Sequence, residues 1–373
     1  MAQPPSTDAE KVAALRQLLP ATGAGIYLDT ATAGPLPAET AAAMVEADEW
    51  ELRVGRAAAG REEDLQQRLA EARAVLAALL GADPDRLTPA AGVASATLAG
   101  LLALDWRRGD RLIADDECGP EVLSASRLAA RALDLQLEVV ADARSKPAAG
   151  ARRLVMPAVS AITGRRLASA LTAAELGRQG VGLIVDASLL VGAAAVSVDE
   201  LGAEMLVTAA DRWALGPEGT AALWLSTEAG SSGNAPITGR LPRTALLGLA
   251  RSVGWLEMYV GLEWAFERTA RLVAWVAEQL AAVEGVGLLA PPDSLAGIVT
   301  FRLPPAWASE EAADELGRRV FAIVPPVAGH NALRASLSWF NSEEELSRFV
   351  GAVAELARHT PATLPRRPAL TIL

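Results

Sequence analysis

The chain alternates short, continuous apolar runs with longer stretches of helical periodicity, and this pattern constrains the fold most. Strands that are apolar at every position are buried on both faces, which is typical of a parallel sheet covered by helices. One helical stretch places Leu65, Leu69, Leu76 and Leu80 on a single face and ends at Gly81. The predicted buried strands are Leu112–Ile113, Leu137–Val140, Leu154–Met156, Leu183–Val185, Met205–Val207 and Ala221–Leu225. The sequence therefore predicts an α/β fold with a mostly parallel sheet between layers of helices.

The pattern changes after the loop-like segment 226–234, STEAGSSGN. A long helical stretch over 244–283 follows, and then shorter strand-like and helix-like segments. Ser342 and Glu345 have the spacing of a capping box at the start of a last helix. We predict an N-terminal segment over 1–20, a large α/β domain over 21–230 and a smaller C-terminal α+β domain over 231–373.

Charge and composition argue against several classes of function. The 34 Lys and Arg against 45 Asp and Glu give a net charge of −11, which disfavours nucleic acid and anionic membranes as partners. No apolar run reaches the roughly 20 residues that span a bilayer. A single cysteine and two histidines make a disulfide framework or a histidine zinc site improbable, so we expect no metal. The expected setting is a reducing cytoplasm.

Lysine is scarce in this chain. Only Lys11 and Lys146 are lysines, and the other basic residues are arginines. Chemistry that needs a lysine amine therefore has two candidate residues.

Ligands of open parallel sheets bind at the carboxyl ends of the strands. This rule directs attention to the residues that follow each predicted strand. These segments are 88–95, 115–120, 160–164, 186–188 and 208–213.

Several of these segments carry motifs of one family. Three segments resemble motifs of class V aminotransferases. They are YLDTATAGPLP over 27–37, the stretch from LIVDASLL to ADRWALGPEG over 183–219, and LRASLSWFNSEEELSRF over 333–349. The resemblance extends over about residues 25–358. The contexts DDECGPEVL and ADRWALGPEG are most similar to the branch of isopenicillin-N-epimerase-like enzymes and ergothioneine C–S lyases.

The resemblance implies a fold-type-I enzyme that uses pyridoxal phosphate (PLP) and forms homodimers with active sites at the interface. It implies that Asp186 pairs with the pyridine nitrogen, so that the ring can act as an electron sink. Arg334 stands at the position that binds the substrate carboxylate, and Arg240 at a position that reaches the partner subunit's phosphate site. Ala91 and Gly92 stand at the phosphate-binding start of a helix.

The same resemblance shows departures from the family pattern. Trp213 and the following Gly-Pro turn place Arg212 where the Schiff-base lysine is expected, and Asp211 where a histidine is expected. A guanidinium stays protonated, so it forms no imine with PLP and is no general base. Cys118 stands at the position of the group that stacks on the ring, and Thr208 lies one place from the expected serine.

Four of these residues also have a purely structural interpretation. Asp186 as a strand-end residue caps the next turn, Arg212 pairs locally with Asp211, Trp213 packs in the core, and His330 is a loop residue facing solvent. The candidate catalytic residues are Asp186, Asp211, Arg212 and His330; the candidate substrate-binding residues are Arg334, Arg240, Ser160, Thr163, Cys118 and Trp213; the candidate cofactor-binding residues are Ala91, Gly92, Asp186 and Thr208.

Three functions are compatible with these residues. The main expectation is an enzyme of specialised metabolism that needs no cofactor, a lyase, cyclase or isomerase acting on a small carboxylate-bearing metabolite in the former cofactor pocket. It is not expected to be a working aminotransferase. One alternative is a non-catalytic pseudoenzyme or partner subunit. The other is a PLP enzyme that binds its cofactor without a Schiff base.

Overall fold

The structure is a computed structural model that describes residues 8–57, 59–143, 150–226 and 238–365. Its contacts divide the chain into two compact units. The first unit comprises Met1–Thr30, Ile162–Arg165 and Arg268–Leu373, and the second comprises Ala31–Ala161 and Arg166–Glu267. None of the described helices is long and apolar enough to cross a membrane.

The second unit is built around a seven-stranded sheet with strand order β2-β8-β7-β6-β5-β3-β4. Its strands are β2 (Leu87–Ala91), β3 (Arg111–Asp115), β4 (Gln136–Val140), β5 (Ala151–Pro157), β6 (Gly182–Asp186), β7 (Met205–Ala209) and β8 (Thr220–Leu225). Strands β3 to β7 pair in parallel, and β8 lies antiparallel between β2 and β7. All six predicted strands are present, which confirms the α/β fold with a mostly parallel sheet. The prediction that all six are buried is wrong for β4, which lies at the edge of the sheet and is mostly exposed.

The helices of the second unit cover this sheet. They are α2 (Ala38–Val54), α3 (Arg61–Leu80), α4 (Val93–Ala103), α5 (Pro120–Leu133), α6 (Ala170–Arg178), α7 (Val198–Leu201) and α8 (Arg243–Trp255). Every residue of β7 and β8 is buried, which explains their continuous apolar character. The edge strand β4 is mostly exposed.

The first unit contains a four-stranded antiparallel sheet with strand order β12-β13-β10-β9. Its elements are α1 (Ala9–Gln17), β1 (Ile26–Tyr27), β9 (Gly287–Leu288), β10 (Ile298–Arg302), α10 (Ser309–Val320), β11 (Ala322–Ile323), β12 (Pro326–Val327), β13 (Ala332–Ser336) and α11 (Glu343–Ala357). Helix α9 (Leu262–Ala281) begins in the second unit and ends in the first. Phe301 and Phe349 meet edge to face in the core of the first unit. The predicted capping box of Ser342 and Glu345 is present at α11.

The bounds of the two compact units differ from those of the domains that we predict. Residues up to Thr30 group with the C-terminal half because β1 pairs with β11 and Arg16 forms an ion pair of 2.6 Å with Glu345. The later change of unit falls at 267/268, inside α9. The predicted loop beyond Ser226 and the predicted boundary at 230 lie outside the described residues. The helical stretch expected over 244–283 is interrupted by a π-helical turn at Leu256–Val260 and by Gly261, whose φ is +85°.

Candidate functional site

The carboxyl ends of five strands of the second unit share one edge of its sheet. Strands β3, β5, β6 and β7 run in parallel, and β2 has the same direction because β8 lies antiparallel to both β2 and β7. The predicted segments 115–120, 186–188 and 208–213 therefore start at this edge or one residue before it, as does residue 160, while residues 162–165 belong to the first unit. The segment 88–95 is predicted to follow a strand, but residues 88–91 are part of β2, and only its second half lies at the edge. Open α/β sheets bind ligands at such an edge.

Asp186 ends β6 and is 8% exposed. Its Oδ1 accepts a hydrogen bond of 3.0 Å from the backbone N–H of Ser188, as expected of a residue that caps a turn. No described residue hydrogen-bonds to Oδ2, and a methyl group added at Gly119 would lie 3.6 Å from that oxygen. One carboxylate oxygen is thus held by the protein, and the other is available to a donor beside Gly119.

Cys118 lies next to this carboxylate and is 5% exposed. Burial raises the pKa of its thiol well above the usual value of 9.0, and the negative charges of Asp186 and Asp115 raise it further. A neutral thiol is a poor nucleophile. Cys118 is therefore a neutral, buried thiol that packs in the core of the second unit beside Asp186.

The turn that follows β7 is held by its own polar groups. Asp211 Oδ2 accepts a hydrogen bond of 2.7 Å from the N–H of Gly219, and Gly216 N–H donates to Ala210 O over 2.8 Å. Within the part of the chain that the structure describes, Arg212 forms no ion pair, so the local pair with Asp211 that the sequence suggested is not formed. Arg212 is a partly buried residue, and its guanidinium carries a charge that this turn does not neutralise.

Gly34 lies beside the Arg212 turn, although it is not among the predicted site residues. It belongs to the motif YLDTATAGPLP over 27–37. Its N–H donates a 2.8 Å hydrogen bond to the carbonyl oxygen of Asp211. A methyl group at residue 34 would lie 1.9 Å from Arg212 O and 2.6 Å from a methyl carbon of Leu215. Only glycine allows the segment after β1 to lie this close to the turn. The glycine within the motif over 27–37 was the one sequence signal of this close approach.

The side chains of three other candidates are enclosed. Trp213 and Thr208 are fully buried, as is Ser160 after β5. A methyl group at Gly192 would come within 2.6 Å of the Trp213 carbonyl carbon and 2.9 Å of its Cβ, so the backbone of Trp213 lies close to Gly192. Trp213 has no exposed surface for a substrate, in agreement with the core-packing alternative.

The start of α4 presents backbone N–H groups at the same edge of the sheet. Gly92 precedes the helix with φ +87°, and a side chain there would meet nothing within 4 Å. The first N–H groups of a helix have no helical acceptors and lie at the positive end of the dipole. Ser95 Oγ donates to Ala91 O over 2.8 Å, so its hydroxyl hydrogen is used by the backbone. An anion at Ala91 and Gly92 would be held chiefly by backbone N–H groups.

Of the remaining candidates, one belongs to the second unit and three belong to the first. Arg240 is exposed and pairs with Glu62 over 3.4 Å on the surface of the second unit. Thr163, His330 and Arg334 belong to the first unit. Arg334 Nη2 lies 3.5 Å from Asp29 Oδ1, which is longer than a good hydrogen bond.

The peptide groups around His330 and Thr163 serve their own loops. The His330 N–H donates to Val327 O over 3.1 Å, and its carbonyl oxygen accepts from Arg302 over 3.1 Å. Thr163 Oγ1 accepts a hydrogen bond of 3.3 Å from the N–H of Arg165. Their proposed roles in acid–base chemistry and substrate binding stay predictions.

Comparison with known proteins supplies the context for this edge. The chain is 22% identical to a probable cysteine desulfurase of Methanothermobacter thermautotrophicus, over 92% of this chain and 97% of that protein. It superposes with a TM-score of 0.82 and 18% identity on a lysine-to-alanine mutant of C-DES with glycine covalently linked to the PLP cofactor, covering 91% and 98% of the two chains. A complex of the cystine C–S lyase C-DES with its product cysteine persulfide gives a TM-score of 0.81 and 18% identity, over 90% and 99%.

These relatives overturn the expectation of an enzyme that needs no cofactor. We predicted a PLP-independent lyase, cyclase or isomerase, with PLP only as an alternative, and that prediction is wrong. The similar structure of C-DES carries PLP in a mutant that has lost a lysine. Scarcity of lysine is therefore no sufficient argument against the cofactor.

The residues of the edge fit PLP. The unbonded Oδ2 of Asp186 suits a protonated pyridine nitrogen, and the open helix start at Gly92 suits a phosphate. The described residues include one lysine, Lys11, which is exposed on α1 of the first unit; Lys146 lies outside the described residues.

A family model matches more than half of the chain. Residues 26–240 match the model of class V aminotransferases. The fold is the fold-type-I arrangement of the similar structures, with the strand-end Asp186 and the helix start at Gly92 at one edge of the sheet. The chain belongs to the class V aminotransferase family.

Proposed function

We propose that this protein is an enzyme that binds PLP without a covalent link from its own residues and acts on the carbon–sulfur bond of a sulfur-containing amino acid. The observation that carries the cofactor is the carboxylate of Asp186, with one oxygen fixed by Ser188 and one unbonded. The sulfur chemistry is supported by the relatives, a probable cysteine desulfurase and a cystine C–S lyase. Placement in the branch of isopenicillin-N-epimerase-like enzymes and C–S lyases is part of this proposal.

We assign Arg212 to the position of the family's lysine. Asp186 pairs with Val207 of β7, and Arg212 follows β7 in the next turn, at the same edge of the sheet. Gly34 brings its segment within contact distance of the Arg212 backbone. An arginine at this place keeps its proton at every ordinary pH. It binds negative charge, and it neither links to an aldehyde nor removes a proton.

The chain's own groups then have separate tasks. PLP, when bound, supplies a ring that accepts electrons from the substrate. Asp186 would hold the ring nitrogen in its protonated form, and the N–H groups after Gly92 would hold the phosphate. Arg212 would stabilise negative charge at the reacting end of the substrate. Arg334 stays the predicted partner of the substrate carboxylate.

A second candidate is a PLP-binding protein without turnover. Its support is the chemistry of the edge: Arg212 holds a permanent charge, the Cys118 thiol is neutral, and Asp211 is engaged by Gly219. None of these three groups is suited to take a proton from the substrate at neutral pH. This candidate corresponds to the non-catalytic alternative of the sequence analysis.

Cofactor binding is tested by titrating PLP into the purified protein and following visible absorbance and equilibrium dialysis. Asp186→Asn keeps an oxygen for the Ser188 N–H but removes the charge, and should weaken PLP binding about 10- to 100-fold, as for a charge-assisted hydrogen bond of about 1.5–3 kcal/mol. Asp199→Asn, an exposed change on α7, is the matched control and should bind like the wild type. Absence of saturable binding, or equal affinity of Asp186→Asn, would refute the proposal.

The absence of a covalent link is tested with borohydride and mass spectrometry of the intact protein. Wild-type protein loaded with PLP should release it on denaturation after reduction, whereas Arg212→Lys should retain it covalently on the peptide that contains residue 212. Arg212→Gln controls for loss of the charge alone. A covalent adduct of the wild type at Lys11 or Lys146 would contradict the proposal.

Turnover separates the two candidates. Wild-type protein with PLP is incubated with cysteine or cystine, and sulfide, persulfide and keto acid are measured. Formation of these products above the level of free PLP supports the enzyme, and its loss in Asp186→Asn links it to this site. Saturable PLP binding without product from either amino acid would favour the binding protein.

A further inference from the structure

Strand β4 is an open edge of the seven-stranded sheet. Among the described residues it pairs with β3 alone, and four of its five residues are exposed or half-buried. The opposite edge strand, β2, is mostly buried, and the edge strands β9 and β12 of the smaller sheet have two residues each. An open edge strand presents main-chain N–H and C=O groups to which another chain can pair.

The peptide groups of β4 alternate between the β3 side and the outer side. The Gln136 N–H donates to Asp110 O over 2.9 Å, at the β3 side. Successive residues of a strand point their peptide groups to opposite sides, so the N–H and C=O groups of Leu137 and Val139 lie on the outer side. In the described ranges no residue hydrogen-bonds to these four outer groups.

A shallow depression lies beside this edge, between β4 and the end of α5. It has a volume of about 460 Å³, and Leu137, Arg127 and Arg131 are among the residues that line it. Val139 points to the same face as Leu137, because residues two apart in a strand share a face, and it is 38% exposed. A strand added at this edge would therefore contact apolar side chains as well as peptide groups.

The charge of this depression is positive, although the net charge of the chain is −11. Asp134 also lines it, but Asp134 forms an ion pair with Arg108. Arg127 and Arg131 are exposed and lie one turn apart on α5. In the part of the chain that the structure describes, neither arginine forms an ion pair. Two guanidinium groups without counter-charges favour a ligand that carries carboxylates.

We infer that the outer side of β4 is a docking site for an extended acidic segment of another protein. The segment would join the sheet as a further strand and hydrogen-bond to the outer peptide groups of Leu137 and Val139. Alternate side chains of an added strand point to the face of α5, where acidic ones would pair with Arg127 and Arg131. The peptide groups supply affinity for any extended chain, and the two arginines select an acidic one. This inference does not depend on PLP binding.

The open edge is tested by amide hydrogen exchange followed by NMR. In the protein alone, the amides of Leu137 and Val139 should exchange much faster than the amide of Glu138, which donates to β3. Slow exchange of Leu137 and Val139 without a partner would overturn the inference, because the chain's own residues would then cover the edge.

The charged part is tested by fluorescence anisotropy with a labelled, capped peptide in which glutamate and valine alternate. Binding should be saturable and should weaken with salt, which screens exposed charges. Arg127→Glu with Arg131→Glu should weaken it at least about 10-fold, because repulsion replaces two charge pairs. Arg53→Glu with Arg178→Glu is the matched control. It makes the same change in net charge at exposed positions on α2 and α6, and it should bind like the wild type.

The main-chain part is tested with the same peptide methylated at every peptide nitrogen, which removes its donors and keeps its charges. Methylation should weaken binding at least about 10-fold, and the unmodified peptide should slow exchange of the Leu137 and Val139 amides. Equal affinity of the two peptides would mean attraction of charges alone and would overturn strand addition. Absence of saturable binding, or equal affinity for a peptide with lysine in place of glutamate, would also overturn the inference.

Discussion

Replacing Gly34 by alanine tests whether the close approach of the segment 31–36 to the Arg212 turn stabilises the protein and its site. The added methyl carbon would lie 1.9 Å from Arg212 O, 2.6 Å from Leu215 Cδ2 and 3.0 Å from Arg212 C. Backbone atoms cannot rotate away as a flexible side chain can. One of the two segments must therefore move by more than an ångström, since carbon and oxygen make contact at roughly 3.2–3.4 Å.

The size of the effect follows from two terms. The displacement breaks or lengthens the 2.8 Å hydrogen bond from Gly34 N–H to Asp211 O, which is worth about 0.5–1.5 kcal/mol. Overpacking against Leu215, which is fully buried, adds about 1–3 kcal/mol. We expect Gly34→Ala to lower the free energy of unfolding by about 1.5–4.5 kcal/mol.

Urea unfolding followed by tryptophan fluorescence and circular dichroism measures this free energy. Gly177→Ala is the matched control in the same unit, because a methyl group there meets nothing within 4 Å and the residue lies in α6. It should be neutral or stabilise by up to about 1 kcal/mol, as alanine does in place of glycine in a helix. Gly34→Ala should also weaken PLP binding, whereas Gly177→Ala should not. If Gly34→Ala is as stable as the control, the close approach does not exist in the protein.

Three further predictions concern buried and charged groups. Arg268→Met should cost about 3–5 kcal/mol in urea unfolding, because Arg268 is 1% exposed and its removal leaves Glu343 and two backbone carbonyl groups without their donor; a loss below about 1 kcal/mol would contradict the buried ion pair. Cys118 should resist iodoacetamide at about pH 8 in the folded protein and react on unfolding, because burial raises its pKa; rapid alkylation of the native protein would refute this. The hydrogen bond from Arg243 lowers the pKa of Asp64 below 3.8, so it stabilises above that pH and is lost as the pH falls through the folded-state pKa. The difference in urea midpoint between wild type and Arg243→Gln should therefore shrink below about pH 4, and a difference that is constant with pH would argue against the pair.

The long helix expected over 244–283 shows where local periodicity is insufficient. The apolar spacing continues through the whole stretch, but the backbone turns at Gly261 with φ +85°. Glycine at this place is compatible with a continuous helix and with a break, and the packing of the flanking segments decides between them. The contact units divide within α9 for a related reason, since its two ends pack in different cores.

The position of the candidate edge was predictable from the sequence, and its contacts were not. Strand-end residues such as Asp186 can be recognised because parallel strands must end at a common edge, whatever the packing. That Asp211 is engaged by Gly219, and that Arg212 has no described acidic partner, depends on turn geometry that a sequence does not specify. The error about the cofactor came from treating the lysine as essential to binding, although the strand-end carboxylate and the helix start are separate contacts.

The sequence by itself determined the order of strands and helices, the α/β class, and the family, because continuous apolar runs, turn residues and motif spacing are local properties of the chain. Tertiary structure alone decided that residues before Thr30 join the C-terminal half, that Gly34 lies against Arg212, and that α2 is left largely uncovered. These features depend on which distant segments meet in space, and pairing between distant segments is set by the whole fold and not by neighbours in the chain.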